Sequence, residues 1–415
     1  MSKKKHAPVK KQVPPKKHKP AASAQKSSTP SAPKKMSSTF TRIKVVGVGG
    51  GGGNAISRMM DGDRIRGVEY VAVNTDAQDL DYANAHRKVY IGKALTKGLG
   101  AGMNPEVGKQ AAEENRSEIG EMLEGADIVF VTAGLGGGTG SGAGPIVAEI
   151  AKEKGILTIG IVTKPFMFEG AQRSTIANEA LGKFKEKVDA LVVIPNDRIF
   201  GLIDKETSVM RAFSFVDDVL RNGVTSIAEL INTPGLINVD FADVKTVLRD
   251  AGQTLIGIGI SAGQDRSMKA VNAAIHSPLL EISIDGARSV LFSIAGGRDI
   301  KMSEVNDIAK AVAANLDTNA KVIFGAYHDR SLKDKSIKVT VIATGFNGVF
   351  STRLVTPTLF MSDEIPKATK PTPNTNESKE KQAPVAKEAE KNAKSAPEED
   401  DESWEIPAFL RKKKK

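Results

Sequence analysis

The residues of this chain best suited to chemistry form a glycine-rich segment, 133–145, that also carries the hydroxyls of Thr139 and Ser141. The segment follows a buried apolar run at 128–132 and precedes a helical pattern at 145–152. Glycine lets a backbone approach a ligand closely, and the free N–H groups at a helix start attract anions. The segment therefore predicts a phosphate-binding loop rather than a simple turn.

Two more glycine stretches stand at comparable places. The stretch 47–53 follows an apolar run and has the spacing G-x-G-x-x-G, with Asp76 near the acidic position of dinucleotide-binding folds. The stretch 96–105 precedes a helical pattern. One pyrophosphate needs one such loop, whereas two loops at one sheet edge suit a nucleoside triphosphate. The segment 133–145 lacks the Gly-Lys-Ser/Thr of a P-loop.

The elements that must position these loops alternate along the first half of the chain. Apolar runs predict strands at 43–48, 68–74, 128–132, 156–163 and 190–195. Helical patterns lie between them, notably at 105–123. Buried strands separated by helices are typical of a parallel sheet covered on both faces. The first half therefore predicts an α/β domain of the Rossmann-like class.

A long amphipathic helix is expected at 209–232, where Pro234 and Gly235 end it. Beyond it, shorter patterns predict a smaller α/β domain with a mixed sheet. Its expected helices lie at 240–250, 265–276 and 303–315, and its expected strands at 254–261, 289–294, 322–326 and 337–343. The predicted divisions are 1–40 (basic arm), 41–208 (nucleotide-binding domain), 209–233 (central helix), 234–356 (second domain), 357–398 (linker) and 399–415 (tail peptide).

Composition limits the class of protein. The 415 residues include no cysteine, which excludes disulfides and cysteine-bound metal, and they contain no apolar run long enough to predict a transmembrane helix. The net charge of +10 is concentrated in residues 1–38, which hold eleven lysines and no acidic residue. The central part is nearly neutral, so the charge does not indicate a nucleic-acid-binding fold. Low apolar content predicts disorder in the arm and in the linker.

The motif Gly-Gly-Gly-Thr-Gly-Ser-Gly at 136–142 resembles the GGGTGTG signature of the tubulin/FtsZ family, with Ser141 where threonine is usual. The likeness is to the bacterial division proteins of this family and runs from about 43 to 343. It also covers the short motifs at 74–76, 163–166, 168–170 and 194–197. So many matches in the same order make the resemblance specific, and it implies a GTP-binding fold.

The resemblance also implies a set of GTP- or GDP-binding residues. Phosphates would contact the two glycine loops, Glu169 and Arg173 would hold the ribose, Phe213 would stack on guanine and Asp217 would accept its N1 and N2 hydrogens. The implied residues are Gly50, Gly51, Gly52, Gly53, Asn54, Gly136, Gly137, Gly138, Thr139, Gly140, Ser141, Glu169, Arg173, Phe213 and Asp217. Taken alone, Glu169 and Arg173 also fit a surface i,i+4 ion pair, and Asp217 also fits a solvated helix face.

The pattern N-x-D-x-x-D formed by Asn238, Asp240 and Asp243 follows the long helix. It resembles the family loop that enters the nucleotide site of the next subunit. That resemblance implies catalysis in trans by these three residues. Mg²⁺ would be held mainly by the nucleotide rather than by direct protein ligands, and K⁺ is a further candidate cation. Taken alone, the pattern favours capping of a helix that begins near Phe241.

The two chain ends carry the remaining candidate interactions. An apolar cluster resembles the family's C-terminal peptide D-I-P-A-F-L-R, with Glu405 in place of aspartate; its members are Trp404, Ile406, Pro407, Phe409 and Leu410. The resemblance implies that membrane tethers and regulators of the division ring bind this peptide. For the lysine-rich arm the alternatives are anionic lipid, nucleic acid, neighbouring acidic chains or a solubilising tail.

The resemblance therefore implies a cytoplasmic GTPase that assembles with itself, head-to-tail, at the mid-cell division site on the inner face of the membrane. Two other functions remain open. An NAD-type oxidoreductase would use the first glycine loop but leaves the other two loops and the N-x-D-x-x-D pattern unexplained. A tubulin-like protein for DNA partition or cell shape would not explain the tail peptide.

Overall fold

The computed structural model describes residues 41–61, 67–204, 206–277, 283–329, 332–333 and 335–346. The first half contains β1 (Ile43–Val48), α1 (Gly49–Asp61), β2 (Val68–Asn74), α2 (Ala77–Tyr82), β3 (Arg87–Tyr90), α3 (Lys93–Thr96), α4 (Pro105–Glu114), α5 (Arg116–Leu123), β4 (Ile128–Gly134), α6 (Gly138–Glu153), β5 (Leu157–Lys164), α7 (Ala171–Lys187) and β6 (Ala190–Pro195). Short 3₁₀ helices, Met167–Glu169 and Asn196–Gly201, follow β5 and β6.

The second half contains α8 (Val209–Asn232), α9 (Phe241–Leu248), β7 (Gly252–Ala262), α10 (Arg266–Ile275), β8 (Ser289–Gly296), α11 (Met302–Ala313), β9 (Lys321–His328) and β10 (Ser336–Thr344). All described residues belong to one compact unit. None of the described helices combines the length and the apolar content needed to span a membrane.

The strands form one sheet in the order β3-β2-β1-β4-β5-β6-β7-β10-β8-β9. The first six strands are parallel, and their order is that of a doubly wound nucleotide-binding sheet. β10 pairs antiparallel with β7 and β8, and β8 pairs parallel with β9, so this part of the sheet is mixed. The prediction of a parallel-sheet domain followed by a mixed-sheet domain is therefore confirmed.

Alternate residues of the central strands enter different cores. On β4, Val129 and Val131 pack in one buried cluster, whereas Ile128 and Phe130 pack in the cluster on the other face. α8 joins the second cluster through one apolar stripe that includes Leu220. Both faces of β1 and β4 are thus covered, which fixes their carboxyl ends in a rigid frame.

The glycine segment differs most from expectation, because α6 begins at Gly138 and not near residue 145. Its glycines are helical, and a side chain at any of these positions would collide with a neighbouring element. A Cβ on Gly138 would lie 2.7 Å from the Ala101 Cβ, and one on Gly144 would lie 2.5 Å from the Phe184 ring. Close packing of α6 against its neighbours, rather than loop flexibility, therefore explains many of these glycines.

Two further expectations differ in detail. The helix predicted at 105–123 is divided at Asn115, whose Oδ1 accepts the Gly92 N–H at 2.8 Å. Gly92 lies 23 residues earlier in the chain, so a tertiary contact accompanies the break. β3 was not predicted, because this four-residue edge strand begins with the exposed Arg87 and Lys88 and lacks an apolar pattern.

Candidate functional site

A cleft of about 720 Å³ opens where the strand order reverses, between the carboxyl ends of β1 and β4. Its volume lies within the usual range of small-ligand pockets, about 300–1,000 Å³. Ligands of doubly wound sheets bind at this reversal, because the loops from both strands meet there. Of the residues implied by resemblance, those that line the cleft are Gly50, Gly51, Asn54, Gly137, Gly138, Thr139, Gly140, Glu169, Arg173, Phe213 and Asp217.

The floor of the cleft consists of two helix starts. α1 begins at Gly49 directly after β1, and α6 begins at Gly138 after β4. A Cβ on Gly49 would lie 3.0 Å from the Gly140 nitrogen, so the two starts nearly touch. The first N–H groups of a helix lack intrahelical partners, and the helix dipole adds positive potential. This floor therefore suits a di- or triphosphate.

Four of the implied residues lie outside the lining of the cleft: Gly52, Gly53, Gly136 and Ser141. Ser141 is fully buried, and its Oγ accepts the Gly136 N–H at 3.0 Å. Gly136 has a φ of +101°, which glycine adopts without strain. A Cβ on Gly52 would lie 2.7 Å from the Thr132 oxygen. Gly52 and Gly53 lie within α1 and Ser141 lies within α6, whereas Gly136 lies in the turn before α6.

One side wall carries an ion pair. The Arg173 guanidinium donates to Glu169 Oε2 at 2.8 Å, and Glu169 Oε1 accepts the Phe166 N–H at 2.9 Å. The i,i+4 pair expected from the sequence is thus present, and both of its members line the cleft. The pair places two polar groups where a sugar hydroxyl could be bound.

The opposite wall is the first half of α8. Phe213 is 40% exposed and packs edge-on against the Phe166 ring, with centroids 5.2 Å apart. Asp217 lies one turn further along, and its Oδ2 accepts a hydrogen bond from Arg58 Nε at 2.6 Å. Burial raises the pKa of Asp217 to about 6, although the Arg58 cation acts in the opposite direction. An aromatic face beside a carboxylate is a suitable receptor for a purine that presents donors.

Sequence reasoning missed five polar residues of the lining: Ser57, Arg58, Asp61, Thr163 and Asn196. Arg58 follows Asn54 by one helical turn, so the shared face of α1 was the available signal. Asn196 directly follows β6, at the carboxyl end of a parallel strand. Its Oδ1 is buried, and it has no hydrogen-bond partner within the described part of the chain. That oxygen could accept a hydrogen bond from a ligand.

The N-x-D-x-x-D residues are exposed and do not line the cleft of their own chain. Asn238 Oδ1 accepts the Gly235 N–H at 2.6 Å and so closes the turn after α8. Asp240 occupies the N-cap position of α9, yet its side chain forms no capping hydrogen bond. The side chains of Asp240 and Asp243 therefore face solvent.

Several predictions fall outside the described residues. The tail cluster from Trp404 to Leu410, the linker and the lysine-rich arm all lie there. Over the ranges that the structure does describe, no group of three His, Asp or Glu side chains is arranged to hold a metal ion.

Comparisons with known proteins agree with this geometry. Residues 42–204 match the description "Tubulin/FtsZ family, GTPase domain", and residues 252–347 match "FtsZ family, C-terminal domain". A solved structure of an empty FtsZ dimer from M. jannaschii is 45% identical, covers 74% of this chain and 89% of its own, and has a TM-score of 0.70.

Two more distant solved structures share the fold. GDP-bound monomeric CetZ1 from Haloferax volcanii is 24% identical, with a TM-score of 0.65 and coverage of 74% of this chain and 96% of its own. The CetZ2 protofilament with GTPγS from the same organism is also 24% identical, with a TM-score of 0.64 and coverage of 74% and 94%.

The FtsZ that was compared comes from M. jannaschii, so a place among the bacterial members stays a prediction. The GTPase-domain match and 45% identity over most of the chain nevertheless establish the broader relationship. This chain belongs to the tubulin/FtsZ family.

Proposed function

We propose that this chain is a GTPase that polymerises head-to-tail and hydrolyses GTP at the contact between successive subunits. The observation that carries the proposal is the separation of two halves of one site. The cleft offers a phosphate floor, formed by the starts of α1 and α6, and a purine wall, formed by Phe213 and Asp217 on α8. Asp240 and Asp243 are exposed elsewhere, and their side chains have no partner in the described residues. Two subunits in a stack would bring the halves together.

Hydrolysis of a terminal phosphate requires an oriented water and an acceptor for its proton. Carboxylates can supply both functions, and Asn238 can help to orient the loop that carries them. The helix starts of the cleft would hold the phosphates in line with that water. Mg²⁺ carried by the nucleotide would neutralise phosphate charge, and K⁺ is a further candidate cation.

Exposed apolar side chains support self-assembly. Met167 and Met210 stand two and three residues before the cleft residues Glu169 and Phe213, and they are 74% and 80% exposed. Leu236, two residues before Asn238, is 80% exposed. In a stack that joins the cleft of one chain to the N-x-D-x-x-D loop of the next, these apolar side chains would be covered. A contact between two different faces of one molecule does not close on itself, so it produces a filament.

A role in cell division is the finer part of the proposal. The 45% identity to an FtsZ and the tail peptide at 404–410 support it. The protein would act in the cytoplasm at the mid-cell site, and the tail would bind membrane tethers and regulators of the division ring. A fluorescent fusion should form a mid-cell band, and removal of residues 399–415 should disperse it. A band that survives the deletion would contradict the role of the tail.

The biochemical proposal is tested by phosphate release from GTP at increasing protein concentration, with light scattering recorded in parallel. The rate per subunit should rise above a critical concentration, together with scattering. Asp243→Ala should assemble but hydrolyse slowly. Asp307→Ala, a change of an exposed aspartate on α11, should behave as the unchanged protein. A flat specific rate without scattering would refute assembly-dependent hydrolysis.

A further inference from the structure

An arginine that resemblance did not implicate holds the carboxylate at the purine wall. Arg58 projects from α1, and its Nε donates to Asp217 Oδ2 at 2.6 Å. Its Nη1 donates to Ser214 Oγ at 2.9 Å, one turn earlier on α8. The guanidinium is planar, so two bonds to one helix face fix its orientation. Through it, one oxygen of the Asp217 carboxylate is held toward α1.

The pairing leaves Asp217 Oδ1 without a partner among the described residues. Only 14% of the Asp217 side chain is exposed, and the residue lines the cleft. Guanine presents two donors, N1–H and the N2 amino group, on one edge. Adenine presents the acceptor N1 at the corresponding place. An ionised carboxylate therefore favours guanine, whereas a protonated one can donate to adenine.

We propose that Arg58 is a positioning residue for base selectivity, because it keeps Asp217 ionised and aims its free oxygen at the base. The inference rests on the proposed function, in which Asp217 reads guanine. It adds that the selectivity of the cleft depends on a residue outside the base-contacting set. The pairing also joins α1, which begins at the phosphate floor, to the purine wall on α8.

The charges around Asp217 agree with this role. The pKa of Asp217 is about 6 because burial and, to a smaller extent, the charge of Asp218 raise it, while Arg58 lowers it by charge and by hydrogen bonding. Without Arg58, burial would act unopposed, and the carboxyl would be partly protonated at neutral pH.

Other titratable groups face the same wall and must be considered. They are Asp61 on α1, Asp218 next to Asp217 on α8, and Glu169 with Arg173 across the cleft. Glu169 and Arg173 neutralise each other in an ion pair at 2.8 Å. Arg58 is therefore the cation in direct contact with Asp217 among the described residues.

The test compares GDP and ADP binding by titration calorimetry between pH 5.5 and 8, without Mg²⁺ so that the protein stays unassembled. The variants are Arg58→Gln and Arg58→Lys, with Arg116→Gln as a control. Arg116 pairs with Glu113 and Glu153 outside the cleft.

The unchanged protein should prefer GDP at pH 7 and lose GDP affinity as the pH falls through about 6. Arg58→Gln should reduce the GDP-to-ADP preference about tenfold at pH 7, which corresponds to about one pKa unit at Asp217. It should also move the midpoint of the pH profile upward by about one unit. Arg58→Lys should keep the midpoint close to that of the unchanged protein, because the positive charge is kept. Arg116→Gln should change neither the GDP-to-ADP preference nor the midpoint.

The outcomes separate the two proposals. If the unchanged protein does not prefer GDP, the proposed function is wrong. If it prefers GDP and Arg58→Gln keeps both the preference and the midpoint, the inference about Arg58 alone is overturned. If Arg58→Gln does not fold, Ser214→Ala, which removes one anchor of the guanidinium, should give a smaller upward shift of the midpoint. An unchanged midpoint and an unchanged preference in Ser214→Ala would also overturn it.

Discussion

The buried carboxylate of Asp217 should make the nucleotide-free protein less stable at neutral pH than it would be with an amide at this position. The side chain is only 14% exposed, and its pKa is raised from 3.8 to about 6. Because the folded protein binds this proton more tightly than the unfolded chain, the resulting stability is fully present below pH 3.8 and is lost as the pH rises through about 6. Asp217→Asn removes this titration.

The size of the effect follows from the shift. Each pKa unit corresponds to about 1.4 kcal/mol, so the ionised carboxylate lowers the free energy of unfolding by about 3 kcal/mol at high pH. About half of this loss occurs below pH 5, so the advantage of Asp217→Asn should grow by about 1.4 kcal/mol between pH 5 and pH 7.5. Asn can still accept the hydrogen bond from Arg58, and the exchange keeps the side-chain volume.

The assay is urea unfolding at pH 5, 6 and 7.5 with nucleotide removed, since bound GDP would stabilise the unchanged protein selectively. Asp307→Asn, a change of an exposed aspartate on α11, serves as the control. Its free energy of unfolding should differ from that of the unchanged protein by the same amount at all three pH values. If Asp217→Asn exceeds the unchanged protein in free energy of unfolding by an amount that is constant or that falls as the pH rises, the destabilising effect of the ionised Asp217 is refuted.

Two further predictions concern packing. Gly142→Ala should destabilise the fold by about 2 kcal/mol, because its Cβ would collide with the backbone of α4, and urea unfolding should detect this. Lys338→Met should lower the free energy of unfolding by about 3 kcal/mol, because Glu229 and Asp329, both paired with Lys338 in a largely buried network, would lose their cation. Thermal unfolding measures the second effect, and a melting temperature within one degree of the unchanged protein would contradict it.

Much of the fold could be predicted because local pattern and global packing agree. Continuous apolar runs marked β1, β2 and β6 with the bounds that the structure has, and the stripe on α8 marked the central helix. β3 gave no such signal, since an edge strand with exposed lysine and arginine buries little apolar surface. The break at Asn115 depends on a bond to Gly92, which lies 23 residues away in the chain.

The site was predictable where its chemistry is local. Glycine loops after two strands indicated the phosphate floor, because both strands end at one edge of the sheet. The sequence could not show that the glycines of α6 are helical, since their neighbours on α4 and α7 come from distant parts of the chain. Arg58 was missed for the same reason, as its partner Asp217 lies 159 positions further along.

The central claim is that hydrolysis needs residues from two chains, and a mixing experiment tests it most directly. Asp243→Ala should retain nucleotide but lack the acceptor, whereas Asp217→Asn should lack guanine recognition but keep the N-x-D-x-x-D loop. Each variant alone should release phosphate from GTP slowly.

Equal amounts of the two variants should together release phosphate several times faster than either alone, because the intact loop of one chain can enter the occupied cleft of the other. A mixture whose rate equals the average of the two separate rates would contradict a site shared between subunits.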